Sequence, residues 1–538
     1  MTDIVVVGAG PTGLTLACSL HHLGVPCRLI DQGPGPTVAS RALGMFTRSV
    51  EVLESFGAAE TAIARGHRIE ITNLYSGRRR IGRLATGSLT GTKQPVVLAI
   101  PQYVTERLLQ ERLEELGGEV ERETVVCALR QTPGRDRVEL TVDGRHGRET
   151  VEAAWVVGAD GAHSSVRKAA GIDFLGRTLK NVFVIVDAFV DHGPAYNQVH
   201  YYVSPQGLTV VSPLPDGSYR FAASMDHFIG DGGELGLDTV QALLDVRVGG
   251  GIRVRELRDA GWGVRQVRPH TRIARTFRAG RCVLAGDAAH VYSPLGGQGM
   301  NGGIQDAHNL AWKLARVSTG RACEALLDSY AVERRNIAHV AQRTVAQQMT
   351  IGSVRARPAT ALRDGIVGSL SKSGALERYM LPESVMLKHR YPSAENPGIA
   401  PGRCRGPQGK RIPDVTLVDG VRRPQPLFDI LHRQPYTLLA LSPPVADSAR
   451  VDDLFATVRA RYGEEVAVSS VSPGSNRALH RFLRAKAPSL CLVRYDEHIA
   501  FFSGLDDGAS LLAHLDGLLA AARKLAPTPS PRSPAPRS

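Results

Sequence analysis

The hexapeptide Gly8-Ala9-Gly10-Pro11-Thr12-Gly13 constrains this chain more than any other feature, because of what surrounds it. The apolar run Ile4 to Val7 precedes it, and Leu14, Leu16, Ala17, Leu20 and Leu23 follow at helical spacing. After Gly24 a second, mostly apolar run, Cys27 to Ile30, ends in Asp31. Strand, tight turn, helix and strand within about 30 residues make a βαβ unit. In such a unit the first glycine permits the turn, the second lets a pyrophosphate approach the backbone, and the third lets helix and strand pack closely. The pyrophosphate then sits on a helix N-terminus, where free N–H groups and the helix dipole favour an anion. Asp31, about 20 residues on, is placed to accept hydrogen bonds from a ribose diol.

That much leaves FAD and NAD equally open, and a distant segment separates them. Ala285-Gly286-Asp287-Ala288-Ala289-His290 runs into Ser293-Pro294-Leu295-Gly296-Gly297-Gln298-Gly299-Met300-Asn301. Asp287, at a strand end, can accept hydrogen bonds from a polyol hydroxyl. The glycine-rich loop opens a helix whose N-terminus, aimed at the pyrimidine end of a flavin, stabilises the negative charge that develops there on reduction. An NAD enzyme has no need of this second site, so the pair of motifs points to FAD held at both ends. His290 has no visible partner and is assigned a structural or solvent-facing role.

Two further apolar runs, Ala154 to Val157 and Cys282 to Ala285, lead into Gly158-Ala159-Asp160-Gly161 and Gly286-Asp287. Both read as buried strands with polar loops at their C-terminal ends, where open α/β sheets place ligands. Between them, Val182 to Val190, Val199 to Val203, Leu208 to Leu214 and Tyr219 to Ala223 are extended stretches broken by turn residues, and read as an antiparallel meander. Ile304, Ala307, Leu310, Ala311 and Leu314 recur at helical spacing, and Leu326 to about Met349 reads as further helix. A Pro- and Gly-rich linker is expected over Pro392 to Pro407. Beyond it, Tyr436 to Ala440 and Ser489 to Val493 are strand-like, and Val451 to Tyr462 and Leu511 to Leu525 helix-like. The Pro/Ser-rich end, Pro527 to Ser538, lacks the apolar residues for a packed core and reads as disordered.

At 538 residues the chain exceeds one compact core, and two or three domains are expected. The net charge of +13 comes from scattered arginines; the densest cluster, Arg78-Arg79-Arg80, has no aromatic platform near it, which argues against nucleic acid. Seven cysteines without a C-x-x-C pair indicate neither a disulfide framework nor a zinc site, and no metal-ligand set is recognised. No apolar run approaches membrane-spanning length and no leader pattern precedes the first strand, so a cytoplasmic protein without a membrane partner is expected.

The chain resembles the FAD-dependent aromatic hydroxylases, class A flavoprotein monooxygenases of the p-hydroxybenzoate hydroxylase fold, over about residues 1 to 345. Gly8 to Gly13 is similar to their ADP-binding fingerprint, Asp160-Gly161-Ala162-His163-Ser164-Ser165-Val166-Arg167 to their Asp-Gly motif, and Gly286-Asp287 with Pro294 to Asn301 to their Gly-Asp motif. By this resemblance Gly8, Gly10, Pro11, Thr12, Gly13, Asp31, Gly286, Asp287, Gly297, Gly299, Met300 and Asn301 bind FAD, and Asp160, Gly161 and Arg167 serve both FAD and NAD(P)H. Arg41 resembles an arginine on the FAD diphosphate, Gln102 a flavin-contacting glutamine, and Val126 a residue whose backbone meets the adenine. Arg48 resembles an arginine at the active-site face of the flavin in polyketide-modifying members, and with Pro294 completes the catalytic candidates. Phe189, Tyr202 and Phe221 are substrate candidates on the inner face of the meander. The C-terminal module is similar to the thioredoxin-like domain of phenol and polyketide hydroxylases. Its Leu492-Val493-Arg494-Tyr495-Asp496-Glu497-His498 departs from their Val-Arg-Pro-Asp-Gly pattern, with Tyr495 for proline and Glu497 for glycine.

The resemblance implies an α/β fold: a Rossmann-like FAD-binding domain (1–70, 98–178 and 270–345) with an inserted antiparallel-sheet substrate domain (71–97 and 179–269). A helical connection and linker (346–400), a thioredoxin-like domain (401–525) and a disordered tail (526–538) complete it. It further implies a monooxygenase that uses NADPH or NADH and O2 to hydroxylate a small, polycyclic aromatic, polyketide-like substrate through a flavin hydroperoxide, as a monomer or homodimer. Baeyer–Villiger oxidation and epoxidation remain open on the same scaffold, as does a non-catalytic FAD-binding scaffold protein. A halogenase is disfavoured because Ala260-Gly261-Trp262-Gly263-Val264 lacks a second tryptophan.

Overall fold

In the computed structural model, the described residues are 3–519 except 38–41, 133, 135, 231–234, 259–264, 294–295, 353, 355, 402–405, 418–423, 442–447, 472–475 and 486, with backbone alone at 348–352. A six-stranded sheet organises the first part of the chain, in the order Arg278–Ala279, Cys282–Leu284, Trp155–Gly158, Ile4–Val7, Arg28–Ile30, Val120–Glu121. Its inner strands are parallel, with Val5 opposite Val156 and Val6 opposite Leu29; only the edge strand Arg278–Ala279 runs antiparallel. The runs read as continuously apolar are buried on both faces, as a parallel sheet under helices requires. Helix Pro11–His22 starts with proline in its first turn, where a missing N–H costs nothing, and packs along helix Gln298–Ser318.

The second sheet has eight strands: Arg253–Leu257, Val182–His192, Tyr219–Met225, Gly207–Pro213, Gln198–Ser204, Ile71–Ser76 and Arg79–Ala85 in order, with Arg265–Val267 also against Val182–His192. The four expected meander strands pair antiparallel with one another, but the order is not that of a simple meander. Val182–His192 pairs with Tyr219–Met225 instead of with Gln198–Ser204, which pairs in parallel with Ile71–Ser76. In the connection between these strands Tyr196 sits edge-on against Tyr219, with ring centroids 5.7 Å apart, and its hydroxyl donates to the Leu214 carbonyl. One face of this sheet carries Val184, Val186, Ala188, Tyr202 and Phe221 against helix Leu237–Val248.

Helices Arg357–Lys372 and Ala375–Ser384 follow the long helix Ala325–Gly352 and lie on strand Arg79–Ala85. The expected linker is packed chain in its described part: Asn396, Ile399 and Ala400 are buried and the Ala400 N–H donates to the Ala500 carbonyl. The C-terminal sheet has the order Val466–Val471, Tyr436–Leu441, Ser489–Arg494, Ile499–Gly504, the first pair parallel and the other two antiparallel. That strand-helix-strand unit followed by a hairpin is the thioredoxin-like arrangement, with helices on both faces. Trp312 and Leu326 join the apolar cluster of this sheet, so the two regions share a core. Pro527 to Ser538 and the last residues of the expected Leu511–Leu525 helix lie outside the described residues; helix Gly508–Leu519 covers the rest. Among the described residues no helix is long and apolar enough to cross a membrane.

Candidate active site

The glycine turn has the geometry its spacing predicts. A Cβ on Gly8, whose φ is +102°, would meet the Ala159 carbonyl oxygen at 2.4 Å, and one on Gly13 would meet the Gly8 carbonyl oxygen at 1.8 Å. These two glycines let three segments touch. A Cβ on Gly10 would meet nothing within 4 Å. The second glycine therefore faces open space at the start of helix Pro11–His22, where a phosphate would lie. Asp31 holds the turn by accepting the Ala9 and Gly33 N–H groups, each at 2.7 Å.

From this turn a cavity of ≈430 Å³ runs between the six-stranded and eight-stranded sheets. Of the expected cofactor residues, Gly10, Pro11, Thr12, Gln102, Gly161, Asp287, Gly297, Gly299 and Met300 line it. They come from five segments: the βαβ turn, the start of helix Gln102–Glu115, the loop after Trp155–Gly158, the turn Gly286–Ala288, and the turn into helix Gln298–Ser318. Gln102 is steadied by Glu106, whose Oε1 accepts its side-chain N–H at 2.8 Å while Oε2 accepts the Thr37 N–H at 2.7 Å. Burial pushes the Glu106 carboxyl up, against the effect of these bonds.

Other expected residues build the walls. Asp160 Oδ2 accepts from Ser165 N and Oγ at 2.7 and 2.8 Å and fixes the helix start, while its Oδ1 is buried without a hydrogen-bond partner among the described residues. Arg167 donates to the Ala288 and Ala162 carbonyls at 3.0 and 2.9 Å, tying the Asp-Gly loop to the Gly-Asp loop. The Gly286 N–H donates to Asp306 Oδ2. Val126 lies in strand Val125–Gln131, outside the cavity lining.

Asn301 holds the loop together through its side chain. Its Oδ1 accepts from Phe46 N and Ser49 Oγ, and its Nδ2 donates to the Gly44 and Gly297 carbonyls, all at 2.7 to 2.8 Å. Its side-chain amide is fully used by protein and clamps the loop, so any contact to a cofactor here would come from the backbone. His290 likewise has the partner the sequence hid: Nε2 lies 2.6 Å from Asp306 Oδ2, and the ring is buried against Tyr292 rather than in solvent.

Arg48 is a correction too. It is buried and turned away from the cavity, with Nη1 donating to Glu51 Oε2 at 3.0 Å and Nη2 to Glu497 Oε2 at 2.5 Å. A buried guanidinium requires anionic partners, and these lie toward the C-terminal region rather than the flavin side. Arg41 and Pro294 lie outside the described residues, as does Ala260 to Val264.

The substrate candidates are displaced by strand parity. Tyr202 and Phe221 point into the core under helix Leu237–Val248, while their neighbours Tyr201, Arg220 and Ala222 line the cavity with Phe183, Ile185 and Ser212. Phe189 is on the correct face but beyond the cavity, 5.5 Å beneath the Arg255 guanidinium. Side chains alternate with a period of two, so a choice one residue out reverses the face. Both faces of this sheet are apolar, which leaves the alternation no polar side to mark. Arg220 makes a two-pronged pair with Asp187, 2.7 Å at each contact, and so brings charge to the wall already neutralised. Burial pushes the Tyr201 phenol up, which keeps it a protonated donor.

Open space at Gly10, a buried, unsatisfied Asp160 oxygen, and glycines 297 and 299 opening a helix beside Asp287 fit a dinucleotide flavin. The comparisons agree. Residues 1–345 match the FAD binding domain family. A 6-methylpretetramide 4-monooxygenase from Streptomyces rimosus is 39% identical over 343 residues, 62% of this chain and 59% of that protein. A 12-dehydrotetracycline 5-monooxygenase/anhydrotetracycline 6-monooxygenase from Streptomyces rimosus subsp. rimosus is 35% identical over 462 residues, 83% of this chain and 87% of that protein. The solved structure of an anhydrotetracycline hydroxylase from Streptomyces rimosus superposes with a TM-score of 0.75 at 30% identity, over 96% of this chain and 99% of that one. The chain belongs to the FAD binding domain family and, within it, to the flavin-dependent monooxygenases.

Proposed function

We propose that this monooxygenase hydroxylates a polycyclic aromatic, polyketide-like molecule, consuming NADPH or NADH and O2. The observation that carries this reading is the cavity itself, with the glycine loops of the nucleotide-binding sheet on one wall and the predominantly apolar strand face of Phe183, Ile185, Val199, Val210 and Ala222 on the other. Such a wall accepts a flat apolar ring system and keeps water from the reacting centre. The relatives that act on tetracycline intermediates support the choice of a fused-ring substrate.

FAD, when bound, supplies the redox chemistry, taking electrons from the nicotinamide and activating dioxygen for transfer of one oxygen atom. The chain supplies position and charge. Gly10, Pro11 and the N–H groups opening helix Pro11–His22 would hold the pyrophosphate, and Asp31 the ribose. Asp287 would hold the ribityl chain, and Gly297 to Met300 the ring edge. Thr72, Tyr201 and Ser212 bring hydroxyls to the substrate wall and would orient a phenolic or carbonyl oxygen. Residues 71–97 and 179–269 would then form the substrate-reading unit, and 1–70, 98–178 and 270–345 the FAD-binding unit. A cytoplasmic setting, where reduced nicotinamide nucleotides are available, and a monomer or homodimer complete the reading.

Mass spectrometry of products formed with NADPH and isotopically labelled O2 tests it. One labelled oxygen on an aromatic carbon is expected; a labelled ring-expanded lactone would assign Baeyer–Villiger chemistry instead. A yellow protein that oxidises no NADPH with any member of a panel of polycyclic phenols would overturn the reading.

A further inference from the structure

Glu497 stands where the thioredoxin-like domains of similar enzymes have glycine, and its backbone keeps the glycine conformation, with φ +61°. A non-glycine residue is uncommon there and points to a constraint from the surroundings. Its carboxylate is fully buried at the seam between the C-terminal sheet and helix Gln298–Ser318. Oε2 accepts from Arg48 Nη2 at 2.5 Å. Oε1 faces two histidines: Nε2 of His432 at 2.6 Å and Nε2 of His308 at 3.4 Å. His308 is 2% exposed; apart from the 3.4 Å approach of Nε2 to Glu497, its ring has no hydrogen-bond partner among the described residues, and Nδ1 has none at all there. A buried imidazole with one nitrogen unpaired and the other only loosely held is costly unless something else takes up a lone pair.

We propose that His308, His432 and Glu497 bind a zinc-class divalent cation that clips the C-terminal domain to the FAD-binding region. The three ligand atoms lie within 4.8 Å of one another. Bonds of about 2.0 Å in a tetrahedral site separate ligand atoms by about 3.3 Å, so small movements of the rings suffice. Two imidazoles and one carboxylate suit zinc, with a water as fourth ligand. His432, whose side chain is 16% exposed, gives the route by which the ion enters. Arg48 occupies the second carboxylate oxygen, so Glu497 binds through one oxygen and is oriented by the guanidinium. The Arg48 charge is itself shared with Glu51, which also pairs with Arg411. The sequence could not show this site, because its ligands lie on three separate elements and form no ligand-spacing motif.

The test uses the full-length, FAD-loaded protein. It is stripped with chelator, incubated with zinc in slight excess, desalted and assayed by elemental mass spectrometry. Cobalt substitution then reports ligand geometry by absorption at wavelengths beyond the flavin bands. One zinc per chain and a tetrahedral cobalt spectrum are expected for the wild type, with zinc raising Tm. His432→Ala and Glu497→Gly should lose the stoichiometric metal, the cobalt spectrum and the zinc-dependent Tm increase. His432→Ala alters a partly exposed residue, so it keeps the test available if Glu497→Gly fails to fold. No retained zinc in the wild type, or equal zinc in the wild type and His432→Ala, overturns the proposal and leaves a cluster held by hydrogen bonds and ion pairs alone. The readout is metal content, so failure here leaves the monooxygenase reading intact.

Discussion

Asn301 Oδ1 accepts the backbone N–H of Phe46 at 2.8 Å, a bond that spans 255 residues of sequence. With the three other bonds of the same amide it joins strand Gly44–Met45, the start of helix Thr47–Glu54 and the loop at Gly297 into one wall of the cavity. Asn301→Ala removes four bonds worth about 1 kcal/mol each and leaves buried groups unpaired. A loss of about 2–4 kcal/mol in unfolding free energy is expected, with weaker FAD binding, since the Gly297 loop is no longer held. Denaturant titration and the quenching of flavin fluorescence measure the two effects. Unchanged FAD affinity would show that the clamp does not shape the flavin loop.

Gly10→Ala and Gly13→Ala should separate ligand space from packing space. Gly10 has φ −76° and ψ −178°, which alanine adopts freely, and its added methyl meets no protein atom. The apoprotein of Gly10→Ala should keep its Tm and bind FAD at least about tenfold more weakly, a loss of about 1.4 kcal/mol. Gly13→Ala drives a methyl to 1.8 Å from the Gly8 carbonyl oxygen and should destabilise the apoprotein itself. Equal Tm losses in the two variants would contradict the assignment of the open space to the cofactor.

Tyr201 and Tyr202 are adjacent, and the sheet sends them to opposite sides. Tyr202 stacks on Tyr75, centroids 4.7 Å apart, in the core beneath helix Leu237–Val248. Tyr202→Ala should cost about 3–5 kcal/mol of stability, as a buried aromatic truncation does. Tyr201→Ala should raise KM for the aromatic substrate or change the position oxidised, with little effect on Tm. Steady-state kinetics beside thermal melts check this, and the opposite assignment of effects would mean that the register of strand Gln198–Ser204 is wrong.

Glu333 accepts from Arg494 Nη1 and Nη2 at 2.6 and 2.9 Å and from Lys313 Nζ at 2.7 Å, all fully buried. Burial alone would push its carboxyl up, but Arg494 and Lys313 outweigh it and hold it at about 2, below its ordinary 4.5. A folded-state value below the unfolded one means stability that is present above about pH 4.5 and is lost as pH falls toward about 2. Glu333→Gln leaves buried Lys313 without its carboxylate and Arg494 with Asp496 alone, and should cost about 3–5 kcal/mol at neutral pH. The variant should also show a shallower fall in urea midpoint between pH 5 and 3. A parallel fall in both proteins would remove Glu333 from the acid response.

The nucleotide-binding half was legible because its signals are local. The unbroken apolar runs at Ile4 to Val7, Val156 and Cys282, and the glycines between strand and helix, are each dictated by contacts within a few residues or by a sheet buried on both faces. The thioredoxin-like module was legible for the same reason. Arg48 was misread because its partner Glu497 lies 449 positions away; His290 took the structural role among those expected, but its partner Asp306 was hidden because it comes from the next helix. Tyr202 and Phe221 were misread because a period of two has no marker of phase when both faces of a sheet are apolar.

The sequence by itself therefore determined the cofactor, the parallel sheet and the places where glycine is obligatory, since backbone sterics and hydrophobic periodicity act over short stretches. Only the tertiary structure decided which face of each substrate strand meets the cavity, which charges neutralise one another, and that His308, His432 and Glu497 converge. Those outcomes depend on strand register and on packing between distant segments.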